Sequence, residues 1–81
     1  MDPDKKILTG NIEIKLTVDG KHWYVAACSA TIENKDCYAI PPGEFFSSKD
    51  EAITEMKRRI MAWFKERGQS ETEEKVEWRV P

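Results

Sequence analysis

This 81-residue sequence has few of the residues from which catalytic and metal sites are built. It contains one histidine, His22, and two cysteines, Cys28 and Cys37. A general base needs a nucleophile within reach, and His22 lies next to no recognisable nucleophile motif. Zinc bound by these three residues would lack a fourth ligand and a Cys-x-x-Cys pair. We therefore expect no catalytic residue, no metal and no cofactor, and we predict that the chain is not an enzyme.

Glycine is also scarce. The four glycines are dispersed among predicted turns and helix ends, so no glycine-rich phosphate loop is present. The two cysteines occur without an export signal and are expected to be free thiols, because reducing compartments keep thiols reduced. A disulfide between Cys28 and Cys37, across a turn predicted at Asn34 to Asp36, is the alternative.

Long apolar runs are absent. The N-terminus is charged, and its apolar stretch is too short for a signal peptide or a membrane span. The net charge of -2 and the pI near 5.4 give no general attraction to nucleic acid or to anionic membranes. These features predict a cytoplasmic protein without a membrane partner, and they argue against nucleic acid as the main partner.

The composition fits one small folded domain. A hydrophobic share of 40% and a charged share of 35% are typical of soluble globular proteins. We predict an N-terminal tail at residues 1–10 and a single α+β domain at residues 11–81.

A β-hairpin is predicted at the start of this domain. Residues 11–18 alternate between apolar and polar, which indicates a strand with one buried face. Asp19-Gly20 follows at once and favours a two-residue type I′ turn. The turn and the alternation predict the same register. The predicted inner-face pairs are Val18 with Lys21, Leu16 with Trp23, Ile14 with Val25, and Ile12 with Ala27.

Three further extended segments are predicted. The alternation weakens after Ala27, which indicates a bend or a bulge. The third strand is Cys37–Ile40, Glu44–Phe46 or both, because Pro41-Pro42 interrupts the segment. Residues 75–80 alternate again and predict a terminal edge strand, to which a second protomer could add.

One long helix is predicted from Ser48 to Arg67. Its apolar residues recur at spacings of three and four and form one stripe. Ser48 and Glu51 match a capping box, and Gly68 suits the position after the C-terminus. The basic run Lys57-Arg58-Arg59 is spread around the helix by about 100° per residue, so it does not form one patch.

Several of these segments resemble the HicB-like antitoxin fold. The matching features are Tyr24-Val25-Ala26 on the second strand, Pro42-Gly43 in the following loop, and Asp50-Glu51-Ala52 at the start of the helix. The resemblance implies a three-stranded antiparallel sheet packed on the helix, frequent dimerisation, and neutralisation of a small RNA-cleaving toxin. Many antitoxins append a DNA-binding domain after the helix, and we expect none here.

The sequence thus predicts a two-layer βββαβ domain with an antiparallel sheet covered on one face by the helix. Our first functional hypothesis is a non-catalytic protein-interaction module, antitoxin-like and homodimeric through an edge strand, or bound to a small protein partner. The second is a nucleic-acid-binding domain that uses the outer sheet face. The candidate partner or nucleic-acid surface comprises Lys15, Lys21, His22, Tyr24, Met61 and Trp78.

Overall fold

The computed structural model describes residues 7–33, 35–69 and 72–80 and has an α+β architecture in which one helix packs on a sheet. This confirms the predicted fold class. The elements in chain order are β1 (Leu8–Leu16), β2 (Trp23–Ile32), β3 (Asp36–Ala39), β4 (Phe45–Phe46), α1 (Lys49–Glu66), a 3-10 turn (Glu73–Lys75) and β5 (Glu77–Arg79). Residues 1–6 of the predicted tail, Asn34 of the predicted turn, and Pro81 lie outside the described residues.

The sheet is mixed, whereas we predicted an antiparallel one. Its strand order is β3-β2-β1-β5, with β4 also paired to β2. The first four strands pair antiparallel, but β5 lies parallel to β1 through Thr9 to Asn11. The physical reason is the crossover: β4 runs in the same direction as β1, α1 returns the chain to the other end of the sheet, and β5 then starts again in that direction.

Both candidate third strands are present. β3 pairs with the second half of β2, and β4 pairs with Trp23 and Tyr24 at its start. The two short strands therefore follow one another along the same side of β2, and the prolines lie between them. The first strand is longer than predicted. β1 begins at Leu8, inside the segment 1–10 that we predicted to be an N-terminal tail.

The hairpin register is confirmed where Leu16 faces Trp23 and Ile14 faces Val25, but its turn is wider than predicted. A type I′ turn needs positive φ at Asp19, and among the described non-glycine residues only Glu33 has positive φ. The Asp19 carboxylate instead accepts hydrogen bonds from the Thr17 hydroxyl (2.5 Å) and the Lys21 amide (3.0 Å). These contacts stabilise a four-residue loop, so Val18 is exposed and the predicted pairing of Val18 with Lys21 is wrong.

A β-bulge lies in β2 opposite Glu13. Glu13 faces Ala27 while Ile14 faces Val25, so Ala26 is the extra residue. In consequence Ile12 faces Cys28, and the predicted pairing of Ile12 with Ala27 is wrong. The predicted irregularity is real, but it lies just before Ala27 rather than beyond it.

The bounds of α1 agree with the predicted helix ends. Ser48 is the N-cap and its side chain accepts a hydrogen bond from the Glu51 amide at 3.1 Å. In a complete capping box the Glu51 carboxylate would accept a hydrogen bond from the Ser48 amide. Here it accepts one from the Ser47 hydroxyl at 2.6 Å. At the other end Gly68 has φ of 79°, and its amide donates to Lys65 in a Schellman-type ending.

The core lies between α1 and the sheet face that it covers, here called the inner face. The helix contributes the predicted stripe, with Tyr38 of β3 stacked on Trp63 at a ring-centroid distance of 5.3 Å. The buried apolar residues are Leu8, Ile12, Ile14, Val25, Cys28, Ala30, Ile32, Ile40, Ala52, Met56, Ile60, Trp63, Phe64 and Val76. None of the helices among the described residues is both long and apolar enough to cross a membrane.

The contact between β5 and β1 depends on a glycine. Trp78 faces Gly10 across the parallel pair, and its ring occupies the space that a Cβ at Gly10 would need. The indole Nε1 donates to the Glu73 carbonyl at 3.0 Å, and Lys57 lies over the ring, 5.2 Å from its centroid. Trp78 is thereby held between the sheet and the helix.

We expect Gly10→Ala to lower the free energy of unfolding by about 1–3 kcal/mol, because the added methyl group overlaps the Trp78 ring. Urea denaturation measures this loss. The same substitution in a Trp78→Leu background should have a clearly smaller effect, since the smaller side chain can move aside. An equal loss in both backgrounds would contradict the assigned contact.

Candidate functional site

The six predicted surface residues fall in two places. Lys15, Lys21, His22 and Tyr24 lie at the hairpin end of the sheet, whereas Met61 and Trp78 lie on the β5 side of the domain. The structure therefore does not join them into one site, and each group is described separately.

The hairpin end carries an aromatic cluster formed by His22, Tyr24 and Phe45. Phe45 of β4 pairs with Tyr24, and the two ring centroids are 6.4 Å apart. The His22 ring meets Phe45 edge-on at 6.5 Å. These side chains lie on the outer face, which is the sheet face opposite α1, and Phe45 is 62% exposed.

Phe45 was missed as a surface residue by the sequence analysis. The available signal was the short extended segment before the helix, but its side-chain direction follows only from the pairing of Phe46 with Trp23 on the inner face. The same end of the sheet also exposes Leu16, at 48%, and Val18 at the hairpin tip. Exposed large apolar side chains are thus concentrated at this end.

The charges beside the cluster are mixed. Lys15 lies on the outer face with its Nζ 3.4 Å from the Glu13 carboxylate, and both side chains are about half exposed. In the hairpin loop, the hydrogen bonds from Thr17 and Lys21 hold the pKa of Asp19 below its ordinary value. The outer face at the hairpin end therefore presents neighbouring charges of both signs.

One side of β1 lacks a neighbouring strand near the hairpin. β5 covers only Thr9 to Asn11, and no described residue pairs with β1 beyond that point on this side. The Thr17 amide donates to the His22 carbonyl across the hairpin at 2.8 Å. Because backbone amide and carbonyl groups alternate in direction along an antiparallel strand, those of Ile14 and Leu16 point away from β2. We call the segment from Glu13 to Leu16 the open edge of β1.

A shallow groove beside α1 contains Met61, one of the two predicted residues on the β5 side. Ile53, Lys57 and Met61 line it from the helix, and Glu73 lines it from the segment before β5. The Lys57 Nζ lies 3.4 Å from the Glu73 carboxylate. Met61 is half-buried and packs against the edge of the core.

Two neighbouring arginines of α1 bind carboxylates, and one of them, Arg59, connects the helix to the β4 side of the sheet. The Arg59 guanidinium binds both oxygens of Glu44, at 2.6 and 2.8 Å, and donates to Glu55 at 2.7 Å. Arg58 donates two hydrogen bonds to Glu55, at 2.9 and 2.6 Å. Arg58 first, and Arg59 second, lower the pKa of Glu55 to about 2, while Glu44 and Glu55 raise the pKa of Arg59.

The basic run on the helix does not form one patch, as predicted. Lys57 reaches Glu73 on the β5 side of α1, whereas Arg59 reaches Glu44 on the β4 side. Arg58 pairs with Glu55 along the helix. Each of the three cations therefore lies against a carboxylate of the same domain.

The two cysteines are free, as expected, and they lie on opposite faces of the sheet. Cys28 faces Ile12 in the core, and burial raises the pKa of its thiol to about 11. Cys37 pairs with Thr31 on the outer face and is exposed. The disulfide alternative is incompatible with this arrangement.

We expect Ellman's reagent to titrate one thiol of the native protein rapidly and the second only on unfolding. The thiolate is the reactive form, and Cys28 is both buried and held protonated. Cys37→Ser should abolish the rapid phase, and Cys28→Ser should leave it intact. Rapid reaction of both thiols in the native protein would refute the described packing.

The part of the chain that the structure describes contains no group of three or more histidine, cysteine, aspartate or glutamate side chains that could hold a metal ion. The candidate binding surfaces described above are the aromatic cluster, the open edge of β1 and the groove beside α1. No protein-family model, curated protein or solved structure matches the chain.

Proposed function

We propose that the chain is a small, non-catalytic protein-interaction module of the cytoplasm that binds its partner through the hairpin end of the sheet. The observation that carries this proposal is the exposure of large apolar side chains there: Phe45 at 62%, Leu16 at 48% and Val18 fully. Burying one such side chain completely contributes roughly 1.5–3 kcal/mol. Burial of these side chains by a partner would therefore contribute favourably to binding at this end.

The aromatic cluster strengthens this choice of surface. Tyr24 and Phe45 offer rigid rings that lose little conformational freedom on binding, and aromatic side chains are enriched among residues that dominate interface energies. The mixed charges around them, from Glu13, Lys15 and Lys21, form a polar rim of the kind that surrounds such contacts.

The protonation states of the perturbed groups support a non-catalytic role. An acid–base catalyst works best with a pKa near the ambient pH. The pKa of Glu55 is shifted down to about 2 and that of Cys28 up to about 11, so both shifts move away from neutrality. Glu55 is also fully engaged with arginines, and Cys28 lies in the core.

The partner class follows from the resemblance to HicB-like antitoxins. In that reading the chain binds a small RNA-cleaving toxin and blocks it. Phe45 and Leu16 would contact the toxin, and the domain would contribute no chemistry of its own.

A photo-crosslinking residue at position 45 tests the interaction. When the protein is expressed in its native host, we expect the crosslinking residue at position 45 to give a discrete adduct with another protein, because Phe45 projects from the proposed contact surface. The same residue at position 66, exposed in the last turn of α1, is the matched control. Mass spectrometry of the adduct identifies the partner, and a toxin-like ribonuclease inhibited by the purified chain is the expected result. Equal adduct yields at positions 45 and 66 would overturn the proposed surface.

Nucleic-acid binding by the outer face is a second candidate, favoured by the position of Phe45 beside Tyr24 and His22. Aromatic rings on a sheet can stack unpaired bases, and each stacked base contributes roughly 1–3 kcal/mol. Lys15 and Lys21 would contact phosphates. The acidic net charge of -2 opposes this binding, so it ranks second.

Fluorescence anisotropy with short single-stranded RNA and DNA at low salt tests this candidate. If it holds, binding should weaken steeply as salt is added, and Tyr24→Ala and Phe45→Ala should each weaken it by about tenfold or more. Lys35→Ala, at the opposite end of the sheet, serves as the control. Absence of binding at low salt would exclude this function.

A further inference from the structure

We propose that Arg59 positions Phe45 for partner binding by holding β4 in place through Glu44. The inference rests on the proposed interaction function and deepens it by assigning a positioning residue to that surface. Arg59 belongs to α1, which covers the inner face, whereas Phe45 is exposed on the outer face. Arg59 therefore acts through β4 and is not itself part of the surface that meets the partner.

The backbone alone holds β4 weakly. The strand contains only two residues, Phe45 and Phe46, and it follows the exposed segment 41–43. Next to it, the Val25 amide donates to the Glu44 carbonyl at 3.2 Å. So short a strand forms few backbone hydrogen bonds, and its position on β2 therefore depends on side-chain contacts. Phe46 supplies one of these contacts, because it is half-buried and packs against the core.

Glu44 supplies the second contact. Its side chain lies on the same side of the extended segment as Phe46 and reaches α1. The Arg59 guanidinium binds both oxygens of the Glu44 carboxylate, at 2.6 and 2.8 Å. Two parallel hydrogen bonds between planar groups fix the orientation of the partners as well as their distance. Arg59 thus holds the start of β4 at one position relative to the helix.

Arg59 is also held at its other side. Its Nε donates to Glu55, one turn earlier on α1, at 2.7 Å, and Glu55 is bound in turn by Arg58. A side chain that is already held in one conformation loses less conformational entropy when it binds a second partner. The guanidinium is therefore preorganised for Glu44.

The position of Glu44 determines that of Phe45. The two residues are adjacent, so Phe45 points to the outer face when Glu44 points to α1. There its ring lies beside His22 and Tyr24, at centroid distances of 6.5 and 6.4 Å. Without the Arg59 contact, β4 separates from β2 more often and the ring leaves this position. A partner must then order β4 as it binds, which lowers its affinity.

This positioning role can be separated from a role in overall stability. The side chains of Arg59 and Glu44 are both partly exposed, so their ion pair contributes little to the free energy of unfolding of the whole domain. The buried apolar stripe of α1 keeps the domain folded without it. Loss of the contact should therefore release β4 while the melting temperature stays close to that of the wild type.

Hydrogen exchange of the Val25 amide, followed by NMR, tests the hold on β4. We expect this amide to exchange about threefold to tenfold faster in Arg59→Gln and in Glu44→Gln, because it becomes accessible when β4 separates. The double variant should exchange no faster than either single variant, since both changes remove the same contact. Arg59→Lys keeps the charge but not the two parallel hydrogen bonds, and its rate should lie between those of the wild type and Arg59→Gln.

Arg58→Gln is the matched control. It removes the same charge at the neighbouring position and also breaks hydrogen bonds to Glu55, but within the described residues those bonds stay on the helix. Val25 should exchange in this variant as in the wild type. Thermal denaturation of each variant shows that it is folded.

A photo-crosslinking residue at position 18, the exposed hairpin tip, tests the effect on binding while Phe45 stays in the chain. In the native host, Arg59→Gln should lower the adduct yield about threefold or more, and Arg58→Gln should leave it unchanged. Unchanged Val25 exchange in Arg59→Gln, an equal effect of Arg58→Gln, or an undiminished adduct yield would overturn the positioning role.

The two proposals fail in different ways. A wild type that forms no adduct from position 18 or position 45 would refute the interaction function and the positioning role together, whatever the exchange rate of Val25. Wild-type adducts combined with an unchanged Val25 rate in Arg59→Gln would refute the positioning role alone.

Discussion

The bulge in β2 is the constraint on which the two-layer arrangement depends. Side chains alternate along a strand, so an uninterrupted β2 that buries Val25 would turn Cys28, Ala30 and Ile32 to the outer face. The extra residue Ala26 resets the alternation, and all four side chains then point toward α1. β1 needs no extra residue, because its buried apolar side chains Leu8, Ile12 and Ile14 all lie on one side of the alternation. A continuous inner face is therefore available to the helix along the whole length of the hairpin strands.

The helix is held on that face by contacts at both of its lateral sides. On one side Arg59 binds Glu44 with two hydrogen bonds, which fixes α1 beside β4. On the other side Lys57 lies over Trp78 and beside Glu73, which fixes it near β5. Exposed ion pairs of this kind contribute only about 0–1 kcal/mol each, so the buried apolar stripe supplies most of the stability. The ion pairs and the indole instead specify the lateral position of the helix on the sheet.

The features predictable from the sequence are those determined by residues close together in the chain. The ends of α1 depend on Ser48 and Gly68 and on their immediate neighbours, and both were identified. The hairpin register near the turn follows from alternation on two adjacent strands. The parallel direction of β5 and the exposure of Phe45 depend on strand pairs between distant segments, which no local pattern reports. The turn prediction was wrong because the Asp19 carboxylate stabilises a wider loop through Thr17 and Lys21.

The two hairpin strands differ in how much of their outward backbone edge is paired, and this difference affects association with other strands. β3 and β4 together cover most of β2, whereas β5 covers only the first part of β1. Charged side chains on an unpaired strand normally discourage association with other strands. That protection is general when the charges have one sign, because every approaching copy is repelled. At the open edge the charges alternate in sign, from Glu13 to Lys15, with Ile14 between them. An added strand that brings like charges together is then opposed, so these residues limit association at the open edge.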